Sequence, residues 1–236
     1  MSEHAHTSDL SGNVEHYCGA ASIGVHPAAN AGPTLHYQDH QTQIHRVVVG
    51  DYENNVFIVR CRDTGDAVLI DAANEHDRLL ELSRNLGVHT VIETHGHHDH
   101  IGAVTEMRNA GYNVHVTSED AHMLPSYDQL IENEQVFEIG KLRLRSTKTP
   151  GHTDGSVSFQ LLGSPVLFTG DTLFPGGPGA TKFGGDFDTI IATIDELMFS
   201  ASLLTRSLCL ATATTPRSAP NARHSKNGSI VAGRRV

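Results

Sequence analysis

No stretch of this 236-residue chain approaches the roughly 18 consecutive apolar residues that a membrane-spanning helix needs, so no membrane partner is expected. The opening Met1-Ser2-Glu3-His4-Ala5-His6 lacks the basic start and apolar core of a secretory signal, and a cytoplasmic protein is the expectation. Cysteine is scarce: Cys18, Cys61 and Cys209 follow no zinc-ribbon or redox spacing. In a reducing compartment they read as ordinary thiols. Basic charge is also short. The chain carries 17 Lys and Arg against 27 Asp and Glu, a formal charge of -10. That argues against a nucleic-acid partner, whose phosphates call for clustered Lys and Arg. A Gly-rich dinucleotide fingerprint after the first strand is missing, and so is a G-x-S-x-G serine motif. The last shortage is local. After Glu196 there is no acid at all, while Arg206, Arg217, Arg223, Lys226, Arg234 and Arg235 all fall there.

What the chain has in excess is histidine, 17 in all, and metal binding is the first idea this raises. His4, His6, His16, His26, His36 and His40 are irregularly spaced in a polar segment rich in Gly and Ala. Residues 1–43 show no sustained period and read as a partly disordered N-terminal extension. From Ile44 the texture changes. Ile44–Val49 and Asn55–Cys61 read as strands joined by the turn Asp51–Asn54, and Ala67–Ile70 as a short buried strand ending at Asp71. Asn74 can cap a helix carrying Leu79, Leu82 and Leu86, which Gly87 stops. Thr90–Glu93 is a strand running into His95, followed by a helix over Ala103–Ala110. Asn113–Val116, Val136–Ile139, Leu142–Lys148, Val157–Leu162 and Val166–Thr169 read as further strands between turns. Asp188 would cap a last helix with Ile190, Ile191, Ile194, Leu197 and Met198 on one stripe. This order predicts one α/β (α+β) domain over residues 44–199, with sheets packed together and covered by helices.

The run Thr94-His95-Gly96-His97-His98-Asp99-His100 carries most of the information. Imidazole and carboxylate are the donors that borderline metals such as zinc prefer. His95 and His97 can leave a turning backbone on one side, while Asp99 and His100 stand beside the helix start. One short loop can thus feed two adjacent metal positions. The competing reading is a solvated His-rich loop, which the rest of the chain disfavours.

That run resembles the HxHxDH signature of the metallo-β-lactamase superfamily. Leu69-Ile70-Asp71, Thr149-Pro150-Gly151-His152-Thr153-Asp154-Gly155-Ser156 and Phe168-Thr169-Gly170-Asp171 are similar, in order, to the family's other motifs over roughly Ile44 to Met198. The resemblance implies an αββα sandwich and two Zn2+ sites. His95, His97 and His152 would hold the first ion, Asp99 and His100 the second, and Asp171 would bridge both. Asp71 would orient ligands without binding metal, and His98 fills a variable position. Two ions sharing a water lower its pKa from roughly 15.7 towards neutrality and supply hydroxide. Asp99 could accept the hydroxide proton as the catalytic base. The function implied is hydrolysis of a small ester or thioester, more similar to glyoxalase II than to a secreted antibiotic-degrading enzyme. An alternative resembles the persulfide dioxygenases, with one Fe2+ held by His95, His152 and Asp171. Against that, Gly176-Gly177-Pro178-Gly179-Ala180-Thr181 departs from the corresponding segment of those enzymes.

The family pattern breaks near Ser200. A last histidine in a P-G-H-G-like turn is absent, and His224 lies in no family motif. Across Cys209-Leu210-Ala211-Thr212-Ala213, grouping the third base of each codon with the next two permits Pro-Gly-His-Gly. Residues 200–236 therefore read as a frameshifted, disordered tail, with the last strand and helix disrupted and the second metal site impaired. A further alternative follows: a metal-binding but inactive product of a disrupted gene.

Overall fold

In the computed structural model, residues 34–202 and 208–210 are described. The first sheet holds seven strands in the order of the chain: β1 Leu35–Gln38, β2 Thr42–Val49, β3 Asn54–Cys61, β4 Ala67–Ile70, β5 Val88–Ile92, β6 Asn113–Thr117 and β7 Gln129–Ile131. The first three pairings are antiparallel, and β4 through β7 run parallel. Parallel neighbours need crossovers: α1 (His76–Leu86) and α2 (Val104–Asn109) supply the first two, and the connection from β6 to β7 carries only the short helical turn Ala121–Met123. The second sheet contains β8 Val136–Ile139, β9 Leu142–Lys148, β10 Val157–Leu161 and β11 Val166–Phe168. A two-stranded ribbon follows, β12 Leu173–Phe174 with β13 Gly177–Pro178, then α3 Phe187–Ser202 and β14 Leu208–Leu210.

β3 explains why the sheets stack. Every residue of this strand except Arg60 is buried, so both faces are covered. Phe57 and Val59 join Ile70, Ile92, Leu144, Phe159 and Phe168 between the two sheets. Val56 and Ile58 point the other way, into a second core with Leu79, Val104 and Met107 of the helices. The Phe57 and Phe168 rings meet across the sandwich at 5.3 Å and 56°, a tilted aromatic pair. Burying each such side chain contributes about 1.5–3 kcal/mol. On the outer face of the second sheet, Thr193, Glu196 and Leu197 of α3 line a cavity of about 510 Å³ with Arg145, Gln160 and Leu167. The two stacked sheets with helices outside make the αββα sandwich. No helix among the described residues is long and apolar enough to cross a membrane.

Several expectations need correction. The domain begins before Ile44, because β1 pairs antiparallel with β2 and Tyr37 packs on the inter-sheet core. Leu35–Gln38 carries little strand signal because it is short, mostly exposed and broken in register between Leu35 and Tyr37. Residues 1–33 of the expected extension lie outside the described residues. Asn74 does not cap α1; its side chain accepts from the Glu75 N–H, and Glu75 enters the helix at φ 51. The Glu75 carboxylate accepts from Gly50 and Arg78 instead, tying the helix start to the β2–β3 turn. At α3 the capping acceptor is Asp186, which takes the Thr189 N–H at 2.7 Å, and Ile191 is exposed, not part of the stripe. At the tail, α3 runs on to Ser202, and Leu208–Leu210 pairs parallel with β11. The sheet edge expected to be open is therefore occupied by three residues. The rest of the expected tail, 203–207 and 211–236 with His224, lies outside the described residues.

Candidate metal centre

The putting together of the centre follows from strand ends. β4 delivers Asp71, β5 delivers Thr94 and His95, β9 leads through Pro150 and Gly151 to His152, and β11 leads to Asp171. Gly151 is required on that third path. At φ 128 its missing β-carbon leaves room for the Ile190 backbone of α3, which a side chain would meet at 2.5 Å or less. Thr193 of α3 also donates its hydroxyl to the Pro150 carbonyl at 2.8 Å, fastening the helix to the His152 turn.

These paths bring all six expected ligands together. Ligand atoms of His95, His97 and His152 lie within 4.8 Å of one another, and so do those of His95, His100 and Asp171. His97 Nδ1 faces His152 Nε2 at 2.9 Å. His152 Nδ1 donates to the Ala180 carbonyl at 2.7 Å, leaving the Nε2 lone pair aimed at the cluster. The Asp171 carboxylate spans the two halves, with Oδ2 3.5 Å from His152 Nε2 and Oδ1 3.4 Å from His100 Nε2. Asp99 Oδ2 stands 3.6 Å from the same His100 nitrogen. His98, by contrast, points away, 82% exposed and edge-on to Tyr52.

Asp71 sits behind the cluster, fully buried and at φ 64. Its Oδ1 accepts the Thr94 N–H at 2.6 Å, and its Oδ2 accepts from the Thr94 hydroxyl at 2.8 Å and from His100 Nδ1 at 3.0 Å. That last bond fixes the His100 tautomer so that Nε2 faces the cluster.

Electrostatics follow from this packing. Burial, reinforced by the neighbouring imidazoles, depresses His95 well below the ordinary histidine range and lowers His97 too. Burial would also lower His100, but Asp171, Asp71 and Asp99 outweigh it and raise this group to about 9. Burial raises Asp171; for Asp99 burial is overcome by His100 and the Asn54 amide, and its carboxyl is lowered. Glu93, buried beside Asp71, is raised well above the carboxylate range by burial first and by that charge second.

The donor set fits a metal on its own evidence. His95 Nε2 and His100 Nε2 are buried without a hydrogen-bond partner. Such orphaned nitrogens are costly unless something occupies the space between them. Three imidazoles and shared carboxylates are the donors that zinc and iron accept.

Some of the surroundings were not foreseen. Asn54 donates to the Asp99 carbonyl at 2.8 Å and to Asp99 Oδ2 at 3.2 Å, a role that its place in the Asp51–Asn54 turn sequence does not signal. Glu93 accepts the Ala72 N–H at 3.2 Å, which its position at a strand end does not signal. No spacing pattern marks either residue, because their partners are far away in sequence.

A sequence model described as the metallo-β-lactamase superfamily matches residues 49–208. A curated relative, hydroxyacylglutathione hydrolase of Rhodospirillum rubrum, is 35% identical over 139 residues, 58% of this chain and 54% of the relative. The chain thus spans about half the length of the curated relatives it first matches. Among solved structures, the BLEG-1 B3 metallo-β-lactamase is similar at a TM-score of 0.65 and 26% identity, covering 73% of this chain and 92% of that one. ETHE1 from Myxococcus xanthus is similar at a TM-score of 0.64 and 25% identity, covering 73% and 76%.

Proposed function

Because the chain belongs to the metallo-β-lactamase superfamily, we propose that it is a metal-dependent hydrolase of a small ester or thioester. The observation that carries this reading is the pair of opposed ring nitrogens, His97 Nδ1 and His152 Nε2, with the Asp171 carboxylate reaching from this pair to His100. His95, His97 and His152 would hold one ion, His100 and Asp99 a second, and Asp171 would stand between. Divalent ions at such positions acidify water and polarise a carbonyl. The protein residues divide the remaining work. Asp71 and the Ala180 carbonyl hold His100 and His152 in the tautomers that turn Nε2 inward. Asp99, kept ionised and held by Asn54, is placed to take a proton as the tetrahedral intermediate collapses. The name of the curated relative suggests a thioester substrate, and Zn2+ is the ion that fits a hydrolase.

We also infer that the reading frame is shifted within the tail. β14 ends at Leu210 beside Phe168, at the edge from which β11 delivers Asp171. The alternative frame would encode its histidine just beyond that point. The test compares the chain as written with a version restored to the alternative frame from about residue 199. Zinc content and turnover of a glutathione thioester are measured for both. Two zinc ions and turnover in the restored chain, with less of both in the other, support this reading; a restored chain that neither holds metal nor turns over defeats it. The resemblance to the persulfide dioxygenases leaves one rival, a single iron at His95, His152 and Asp171. Iron content with oxygen consumption, and no zinc-dependent hydrolysis, would establish that rival instead.

A further inference from the structure

Asp120 belongs to no motif of the metal centre, yet it is fully buried. It sits just after β6, in the connection to β7, where a short helical turn begins at Ala121. A buried carboxylate is expensive unless its oxygens are hydrogen-bonded. Here both are. Oδ2 accepts the Gly96 N–H at 2.9 Å and the Thr153 hydroxyl at 2.7 Å. Oδ1 accepts the Gly155 N–H at 2.9 Å.

The placement of these donors matters. Gly96 lies between His95 and His97, while Thr153 follows His152 directly. The two arms of the three-histidine group are more than 50 residues apart in sequence, and one carboxylate grips both. The fit is close on each side. A β-carbon at Gly155 would lie 2.5 Å from Asp120 Cγ, and one at Gly96 would lie 3.0 Å from the Asp120 carbonyl and 2.8 Å from Met123 Cβ. Glycine at both positions lets the carboxylate reach backbone N–H groups. On the His152 side the grip extends further: the Thr153 hydroxyl also meets the Ser156 hydroxyl at 2.7 Å, and Ser156 Oγ accepts the Thr153 N–H at 3.0 Å.

We propose that Asp120 is a positioning residue that holds the His95–His97 loop and the His152 turn at the separation a metal ion requires. This rests on the reading of His95, His97 and His152 as ligands. It adds a claim about a residue that touches none of them. Charge-assisted hydrogen bonds to a carboxylate are roughly twice as strong as neutral ones. Loss of an outer partner of a metal centre typically lowers affinity 10–100-fold. An asparagine could satisfy only part of this arrangement. Its single oxygen can serve either Gly96 with Thr153 or Gly155, and its NH2 then opposes a backbone N–H.

The test is a Co2+ titration followed by visible absorption, run beside thermal unfolding of the metal-free protein. The proteins are the unaltered chain, Asp120→Ala, Asp120→Asn, Thr153→Val and Thr117→Val. Thr117 is the comparison because its hydroxyl bonds the Gly155 carbonyl at 2.6 Å, on one arm only. The expected result is a 10–100-fold loss of Co2+ affinity in Asp120→Ala, with an altered absorption spectrum. Asp120→Asn and Thr153→Val should show smaller losses, and Thr117→Val a loss of thermal stability with near-normal affinity. If Asp120→Ala does not fold, the asparagine and Thr153 variants carry the comparison. Affinity in the Asp120 variants no lower than in Thr117→Val would overturn the proposal while leaving the metal reading intact. Failure of the unaltered chain to bind Co2+ would remove the metal reading and the positioning role with it.

Discussion

Asp71→Asn separates the orientation of His100 from the stability of the fold. Asparagine keeps the size of the residue and tolerates the left-handed backbone at φ 64. It does not keep the acceptors. Asp71 now takes three hydrogen bonds, from the Thr94 N–H, the Thr94 hydroxyl and His100 Nδ1. An amide offers one acceptor oxygen and two donors. If that oxygen stays on the Thr94 N–H, the NH2 faces the hydroxyl and the imidazole. The hydroxyl can rotate and accept. His100 can accept only by moving its proton from Nδ1 to Nε2, the nitrogen that lies 3.4 Å from Asp171. The proton then occupies the position a metal would take. The expected loss is about 10–100-fold in zinc affinity, or about 1.4–2.8 kcal/mol at 1.4 kcal/mol per tenfold. The cost to folding is comparable, about 1–3 kcal/mol for a buried group left unsatisfied, but it is drawn from a total of about 5–15 kcal/mol, so the variant should still fold. Asp71→Ala is less informative, since it strands all three donors and threatens the fold itself. The assays are zinc competition with a chromophoric chelator, thermal unfolding of the metal-free protein, and nitrogen NMR of the His100 ring. A folded Asp71→Asn protein with unchanged zinc affinity and Nδ1 still protonated would refute the reasoning.

Asp99→Asn should retain metal but slow hydrolysis about 100-fold or more; full turnover with metal bound would remove Asp99 as the proton acceptor. His152→Ala should lose tight metal binding while His98→Ala changes little, because His98 points to solvent; equilibrium dialysis against zinc checks both, and the reverse pattern would overturn the ligand assignment. The stability of the metal-free protein should fall as pH rises from about 6.5 towards about 9. On the acid side two effects oppose each other: burial depresses His95, which withdraws stability as pH falls, while the raised carboxyls of Glu93 and Asp171 return it. His100 is raised to about 9, so its contribution is fully present below about 6.5 and is lost as pH rises through about 9. Zinc should reverse the alkaline limb, since coordination requires His100 unprotonated. Urea titrations from pH 5 to 10 measure this, and metal-free stability still rising through pH 9 would contradict it.

The metal run was legible because its donors are neighbours in sequence. Four of the six expected ligands fall within His95–His100, and the chemistry of imidazole and carboxylate speaks at that spacing. His152 and Asp171 became legible only through the family resemblance; one imidazole in a turn and one carboxylate after a strand carry no periodic signal. Asn54 and Asp120 were not legible at all. Each acts by a contact that spans many residues, Asn54 on Asp99 and Asp120 on Gly96, and nothing local distinguishes them from other polar residues of turns. Strand positions followed from apolar content where both faces are buried, as in β3. They were missed where a short strand is half exposed, as in β1 and β7.

The edge of the second sheet shows the same division between backbone and side chain. The lack of acid after Glu196 and of amphipathic pattern from about Ser200 suggests that the chain leaves the sheet there. Instead, Leu208-Cys209-Leu210 pairs with Val166–Phe168 in parallel register. A β-ladder is made by peptide groups, and a short apolar triple is sufficient to add one strand. A metal ligand has no such tolerance, because only an imidazole, thiolate or carboxylate at the right place will serve. A shift of reading frame through this segment therefore preserves an edge strand but not a ligand that follows it. Strand pairing at β14 and a missing histidine beyond it are compatible for that reason. The zinc content of the two frames distinguishes them where the fold of the sheet does not.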